Sequence, residues 1–475
     1  MVLNSSVSDI LKNFGGINRN NLNELLQNPE DLDNAISIVS ESPYIDPNNV
    51  TDYLKSFTEH FSVLGINIQC LNAKFDKLKS LIDELAINNV VFSAICLQET
   101  WIEGDNPDVS LFELDNYTSI PLKATCSSHG GLLIYLHKNF QYNTRDFYSS
   151  TTNWEGQFID IFGDELKQKI TLCNIYRPPR DRNDDIQLFI NDLAPVLETL
   201  SHERSDKLIL GDFNLDLLKI NTREKYSEFL DLVLNNGFVP KITLPTRFSE
   251  RRATLIDNIF CNLSHSKKTC ISGIVFTNLS DHLPYFTFLD QKLDLHGPPK
   301  FIKVQTKDEF SVQNFIQELS NTDIMGKLNP DLNHNPNSNY DILEDIICSA
   351  KVKHLPIKTV KFNKHKHKRS PWMTNGVLRS INFRDNLYKK LKCTNQDTLE
   401  YLNLKQNLKA YNKILDKNIR ELKQNFYQGQ FTAYKGDTKK TWDVIRSILN
   451  LKKNKRDFPL FFKVNNTKID RKSVV

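Results

Sequence analysis

Between Phe61 and Asp290, six short stretches end or interrupt apolar runs with polar side chains. They are Asn67 in Ile66-Asn67-Ile68, Glu99 in Leu97-Gln98-Glu99-Thr100, and Tyr176 in Asn174-Ile175-Tyr176-Arg177-Pro178. Asp212 and Asn214 follow in Leu208-Ile209-Leu210-Gly211-Asp212-Phe213-Asn214, Asp257 in Leu255-Ile256-Asp257-Asn258-Ile259, and Asp281-His282 after Ser280. The chemistry this set could support is metal-assisted attack of water on a phosphodiester. A hard divalent cation takes oxygen ligands, which Glu99, Asp281 and the Asn67 carboxamide would supply. Asp212 would hold and deprotonate the water, with Asn214 orienting it. His282 and the Tyr176 hydroxyl would donate to phosphate oxygens, where transition-state charge accumulates. Asp257 would fix the His282 ring and favour its protonated form. Taken singly, each has an ordinary explanation: a turn cap for Asn67, surface positions for Glu99 and Tyr176, a satisfied polar residue for His282. Asp257 is the hardest to explain that way, because an acid inside an apolar strand needs a partner.

The elements that must position these groups are short. Strands are expected at 62–68, 90–97, 130–136, 158–162, 170–176, 208–210, 255–261 and 285–289, with Gly211 ending the strand at 208–210 in a turn. Amphipathic helices are expected at 74–85 and 186–200. Many short strands with a few helices between them point to a layered α/β body, a β-sandwich flanked by helices. No G-x-G-x-x-G opens a helix, which disfavours a doubly wound dinucleotide fold.

Residues 1–60 read as an acidic accessory segment, partly disordered, with short helical patterns at 7–14 and 22–26. Residues 291–374 read as a linker and small helical region containing an Asn/Pro-rich loop at 329–339. Residues 375–475 read as a basic helical region with two long helices up to about Tyr427 and a short one at 442–449. The overall charge is only +4, but it is uneven: residues 1–60 hold 3 Lys+Arg against 9 Asp+Glu, and residues 351–475 hold 31 against 9. A basic C-terminal third on a nearly neutral chain suggests a polyanionic partner. The eight cysteines form no C-x-x-C pair, as expected of reduced thiols rather than a disulfide framework. Cys261, His265 and Cys270 lack the fourth ligand and paired spacing of a zinc site. There is no signal peptide pattern and no apolar run of bilayer-spanning length, so the expectation is a soluble, intracellular chain with no membrane partner.

In their order along the chain, Asn67, Gln98-Glu99-Thr100, Tyr176-x-Pro178, Gly211-Asp212-Phe213-Asn214, Asp257 and Ser280-Asp281-His282 resemble the endonuclease/exonuclease/phosphatase superfamily. Within it they look most like the apurinic/apyrimidinic-type endonuclease domain of non-LTR (LINE-like) retrotransposons, over about 61–290. The basic segment with Trp372-Met373-Thr374 and Lys439-Lys440-Thr441-Trp442 is more loosely similar to the region joining endonuclease to reverse transcriptase in such elements. The resemblance implies a four-layered α/β sandwich of two packed mixed β-sheets flanked by helices, followed here by a basic α-helical extension. It implies a Mg²⁺ or Mn²⁺ requirement and a nick that leaves a 3′ hydroxyl. It also supports the roles given above to Glu99, Asp212, Asn214, Tyr176 and His282. DNA is then the expected partner, with element RNA a further candidate for the basic helices and a reverse transcriptase domain expected in a full-length version. Arg177, Thr246, Arg247 and Arg251 are candidates for DNA contact. Nuclear localisation follows from the substrate alone. Where repair-type relatives carry a metal-binding acid two residues after the motif asparagine, this chain has Gln69. Two other readings fit the same residues: a phosphatase of this superfamily, and a non-catalytic nucleic-acid-binding remnant.

Overall fold

A computed structural model of the chain describes residues 42–102, 109–124, 130–145, 153–180, 182–249, 252–263, 269–293, 301–305, 308–328, 336–361, 372–449, 461–464 and 467–470. The helical patterns at 7–14 and 22–26 lie outside them, as do residues 329–335 of the Asn/Pro-rich loop. The described residues fall into two compact units, 296–369 and the rest.

The larger unit is built on two sheets. The first has seven strands in the order β1 (Tyr44–Ile45), β14 (Cys270–Val275), β15 (Tyr285–Lys292), β2 (His60–Asn67), β3 (Ala94–Gln98), β5 (Leu132–His137) and β4 (Tyr117–Leu122). The second has six: β10 (Val239–Pro240), β13 (Asp257–Asn262), β9 (Asp206–Asp212), β8 (Ile170–Tyr176), β7 (Glu155–Phe162) and β6 (Gln141–Thr144). Both are mixed: β2 runs parallel to β3 and β8 to β9, while β15–β2 and β13–β9 are antiparallel. A two-stranded ribbon, β11 (Arg247–Phe248) with β12 (Ala253–Thr254), stands beside them.

Period-two alternation sorts the side chains of the first sheet onto two buried faces. Val63, Ala94, Cys96, Ile134 and Leu136 turn toward the second sheet, where Leu172, Ile175, Leu208 and Leu210 share one core with them. Leu64, Ile66, Ile95, Leu97 and Leu133 turn the other way, onto helix α1 (Leu71–Ile87). That helix buries Phe75, Leu78, Leu81, Ile82 and Leu85, a stripe at helical spacing. On the far side of the second sheet lie α2 (Asn183–Ser201) and α3 (Glu224–Asn235), which bury Phe189, Leu193, Phe229 and Leu230. The result is four layers: helix, sheet, sheet, helices.

Several expectations shift. Residues 42–60, read as accessory, join the body: β1 pairs with β14, and the fully buried Tyr44 donates its hydroxyl to the Pro245 carbonyl at 2.7 Å. Gly211 does not turn the chain. Strand β9 runs through it to Asp212, and a Cβ there would lie 1.9 Å from the Ile175 carbonyl oxygen, so only glycine fits against β8.

The smaller unit pairs β16 (Phe301–Gln305) with β17 (Ile357–Lys361) and packs α4 (Glu309–Asn321) with α5 (Pro336–His354). Residues 336–339, read as loop, form the first turn of α5, with Pro336 at the opening position where its missing N–H costs nothing.

The basic C-terminal region is helical as expected: α6 (Asn375–Cys393), α7 (Leu399–Ala433) and α8 (Thr438–Ile448). Thr374 and Thr398 cap α6 and α7 with their side-chain oxygens. The two long helices are fastened to the body. Tyr388, Leu391, Leu404 and Leu408 join its core, and Tyr388 lies 5.6 Å from Phe276, ring to ring. The Asp385 carboxylate accepts from the Asn278 N–H at 3.0 Å and the Thr277 hydroxyl at 3.3 Å. Lys423 meets Asp76, and Asp416 meets Lys77, each at 2.8 Å.

Candidate active site

The polar residues singled out in the sequence converge where β2, β3, β8 and β9 end, where β13 begins, and in the segment before β15. At the centre is Asp212, fully buried, the last residue of β9. Its Oδ1 accepts from the Asn214 N–H at 3.0 Å and its Oδ2 from the Asn67 amide at 2.8 Å. Asn214 adopts a left-handed conformation (φ 48°), which closes this short turn, and its own amide donates to the Arg177 carbonyl at 2.7 Å.

Asn67 links the two sheets. The same NH₂ that meets Asp212 donates to Glu99 Oε1 at 2.7 Å, while its oxygen accepts from the Gln69 N–H at 3.2 Å. In this arrangement Asn67 turns its amide nitrogen, not its oxygen, toward the two carboxylates. The amide nitrogen thus bridges Glu99 and Asp212, and the oxygen faces the Gln69 N–H. Glu99 sits just past β3 in a left-handed conformation (φ 51°), held by its carbonyl on the Cys70 N–H at 2.9 Å. The Tyr176 hydroxyl is hydrogen-bonded to Glu99; burial, then the Glu99 and Asp212 charges, push its pKa well above the usual tyrosine range.

Opposite Asp212 in the β13–β9 register stands Asp257, fully buried. It accepts the Thr246 hydroxyl at 2.6 Å and lies 2.9 Å from His282 Nδ1. His282 is also buried, and its Nε2 stands 3.9 Å from Asp212 Oδ2. Burial alone would lower the imidazole pKa, but Asp257, Asp212 and Asp281 outweigh it and raise it to about 9. Burial and the Asp257 charge raise the Asp212 carboxyl well above the ordinary carboxylate range, against the opposing pull of His282 and Asn67. Asp281 is more open; its Oδ2 accepts from Arg247 Nε at 3.0 Å. Burial works to raise its pKa, but His282 and Arg247 hold it below the usual carboxylate range.

Asp212, Asp257 and His282 offer ligand-type atoms within 4.8 Å of one another, so this buried group could bind a metal ion. Glu99 and Asp281 offer oxygen alone, in the less buried part of the site. A hard divalent cation takes oxygen ligands, which Glu99 and Asp281 would supply.

The candidates for DNA contact separate. Arg247 is partly exposed beside Asp281. Thr246 is fully buried and serves Asp257. Arg177 is only 2% exposed, its guanidinium turned to the carbonyls of Phe213, Asn214 and Arg180 and stacked over Phe189. Thr246 and Arg177 are thus engaged inside the protein by these partners. Arg251 lies outside the described residues. The sequence reading missed others. Gln98 donates to Asn174 at 2.6 Å and Asn174 to the Leu97 carbonyl at 3.1 Å, a polar rivet between the sheets under the site. Buried Glu155 accepts the Gly131 N–H at 2.6 Å, and Gly130 and Gly131 in turn hold the Trp101 and Thr100 N–H groups beside Glu99. Asn174 is a polar residue in the mostly apolar run of β8, the same signal that marked Asp257.

Two mixed sheets flanked by helices, with buried and half-buried acids, amides and a histidine gathered at one end, make an α/β fold with a candidate metal-binding site. More particularly, residues 170–286, which carry Tyr176, Asp212, Asn214, Asp257, Asp281 and His282, match the family described as Endonuclease-reverse transcriptase. Similar solved structures include the endonuclease domain of TRAS1, a telomere-specific non-LTR retrotransposon (15% identity, 49% of this chain and 99% of that one, TM-score 0.38). The catalytic domain of APE2 from Xenopus laevis is also similar (18%, 49% and 93%, 0.38), as is an AP endonuclease from Archaeoglobus fulgidus (16%, 48% and 99%, 0.38). Among the described residues no helix is long and apolar enough to cross a membrane.

Proposed function

We propose that this chain is a metal-dependent endonuclease that hydrolyses one DNA phosphodiester strand and leaves a 3′ hydroxyl, as in target-site cleavage by a non-LTR retrotransposon. The observation that carries the reading is the buried line Asp257–His282···Asp212, set beside Asn67 and Glu99 at the meeting of two sheets. Glu99 and Asp281 would hold Mg²⁺ or Mn²⁺, with Asn67 orienting Glu99. The ion would supply positive charge to the phosphate and the leaving alkoxide.

The chain's own groups do the rest. Asp212 is the general base: each of its oxygens accepts one hydrogen bond and keeps a lone pair for a water proton. Its raised pKa brings it toward the neutral range, where a base works best. Asn214 fixes the Asp212 rotamer through its backbone N–H. Asp257 accepts from His282 Nδ1–H, and the raised pKa keeps Nε2 protonated as well at neutral pH, so that Nε2–H can donate to the reacting phosphate. Tyr176 donates beside it. Arg247, partly exposed next to Asp281, meets the backbone of bound DNA. A nuclear site of action follows from a DNA substrate, and the basic helices are the part of the chain suited to element RNA. The test is the product: a nick made with Mg²⁺ should be extended by a DNA polymerase without prior end repair. Ends that resist extension would contradict the 3′ hydroxyl.

A further inference from the structure

Lys74 has no role in the chemistry above, yet its side chain lies in the site. It sits in the first turn of α1, and its ammonium is 3.4 Å from the Ser280 hydroxyl. That hydroxyl is in turn 3.4 Å from Asp281 Oδ1 and from Gln69 Oε1. Asp281 and Glu99, the two acids assigned to the metal, are the carboxylates whose charge reaches it. The neighbouring charges on α1 are consumed elsewhere: Lys77 by Asp416 and Asp76 by Lys423, both from α7. Asp281 is taken by Arg247 at 3.0 Å. Lys74 is thus left partly desolvated, with a long contact to a neutral hydroxyl as its hydrogen bond. A partly buried ammonium without a bonded carboxylate is costly to keep unless an anion arrives to meet it. Residue 69, whose side chain shares the Ser280 hydroxyl, is a neutral glutamine.

We propose that the Lys74 ammonium is a fixed cation of the active site that binds a phosphate oxygen of the nucleic-acid substrate, next to the metal held by Glu99 and Asp281. The proposal rests on the nuclease reading. A lysine is suited to the task as a compact point charge on a flexible stem, able to follow the phosphate as the bond breaks. The alternative is that Lys74 merely screens Asp281.

Binding of a short fluorescent DNA duplex, measured in EDTA across a KCl series, separates the two without calling on catalysis. Wild type, Lys74→Gln, Lys74→Met and Lys74→Arg are compared, with thermal melting as the folding control. Loss of one phosphate contact should reduce the slope of log K against log salt by about 0.9 in the Gln and Met variants, while Arg keeps it. In Mg²⁺-supported nicking the same two variants should raise KM and lower kcat. An unchanged salt slope, or no DNA binding by the wild type, overturns the proposal; an unchanged slope with a higher Mg²⁺ affinity by calorimetry identifies screening of Asp281 instead. If the wild type binds duplex with the expected slope but never nicks, the endonuclease reading fails while the Lys74 contact stands.

Discussion

Asp257→Asn removes a charge from the centre of the site and leaves the shape. The amide oxygen can still accept from Thr246 and from His282 Nδ1, so ring and tautomer are retained. What goes is the carboxylate that does most to hold the imidazolium. The rise of the His282 pKa from 6.5 to about 9 corresponds to roughly 3 kcal/mol in favour of the protonated ring. Loss of Asp257 is expected to return the ring toward its ordinary 6.5, because burial is then opposed by Asp212 and Asp281 alone. At about pH 7.5 the protonated fraction then falls from ~97% to ~10%, since one pKa step is tenfold. The nicking rate at that pH should fall about tenfold, and the alkaline limb of the pH–rate profile should move from about 9 to near 6.5. Stability moves with the same group. Because its folded pKa is raised, the contribution is complete below about pH 6.5 and is lost as pH rises through about 9. The wild type should therefore lose stability across that window relative to Asp257→Asn. Nicking across pH, with histidine NMR on the metal-free protein, reads both. An alkaline limb that stays near 9 in the variant refutes the assignment of Asp257 as the group that keeps His282 charged.

Gly211→Ala should not yield a natively folded chain, because its Cβ would press on the backbone of β8; circular dichroism and melting check this. Arg145→Ala should lower the melting temperature at neutral pH by the worth of its pair with Glu203, of order 1 kcal/mol or less after allowance for solvent exposure. The hydrogen bond from Arg145 lowers the Glu203 pKa to about 2, so that contribution is present above about 4.5 and lost as pH falls toward 2, where variant and wild type should converge. Asp385→Ala frees Thr277 and the Asn278 N–H at the start of the segment that carries Asp281 and His282. It should reduce kcat severalfold with little change in melting temperature, and Asp385→Asn, which keeps an acceptor oxygen, should restore most of the loss.

The layers were legible in the sequence because both sheets obey simple rules. Buried strands such as β8 and β9 read as continuous apolar runs, and α1 shows its stripe. Strand β14, Cys-Ile-Ser-Gly-Ile-Val, was missed because Ser272 and Gly273 break the run; in the fold Ser272 is buried against Thr287, and Gly273 leaves room for Phe286. At the site, polar residues within apolar strands announced themselves, as Asp257 did. That Thr246 and Arg177, polar residues in loops, are buried is revealed only by the tertiary fold. Lys74 was overlooked for another reason: it falls on the same side of α1 as Leu78, Leu81 and Leu85, but its meeting with Ser280 joins residues 206 apart in the chain and is not legible from the helix alone. The same holds for the docking of α6 and α7, whose basic sequences read as solvated faces while their Tyr388 and Leu408 side are core.

The most direct measurement is nicking of supercoiled plasmid with and without Mg²⁺ by the wild-type chain, Asp212→Ala and His282→Ala. The expected result is metal-dependent relaxation by the wild type that either substitution reduces by at least a hundredfold, the scale on which loss of a general base or a transition-state donor acts. Plasmid that is bound but stays intact under every metal condition, or nicking that survives both substitutions, would contradict the assignment of a metal-dependent endonuclease to this site.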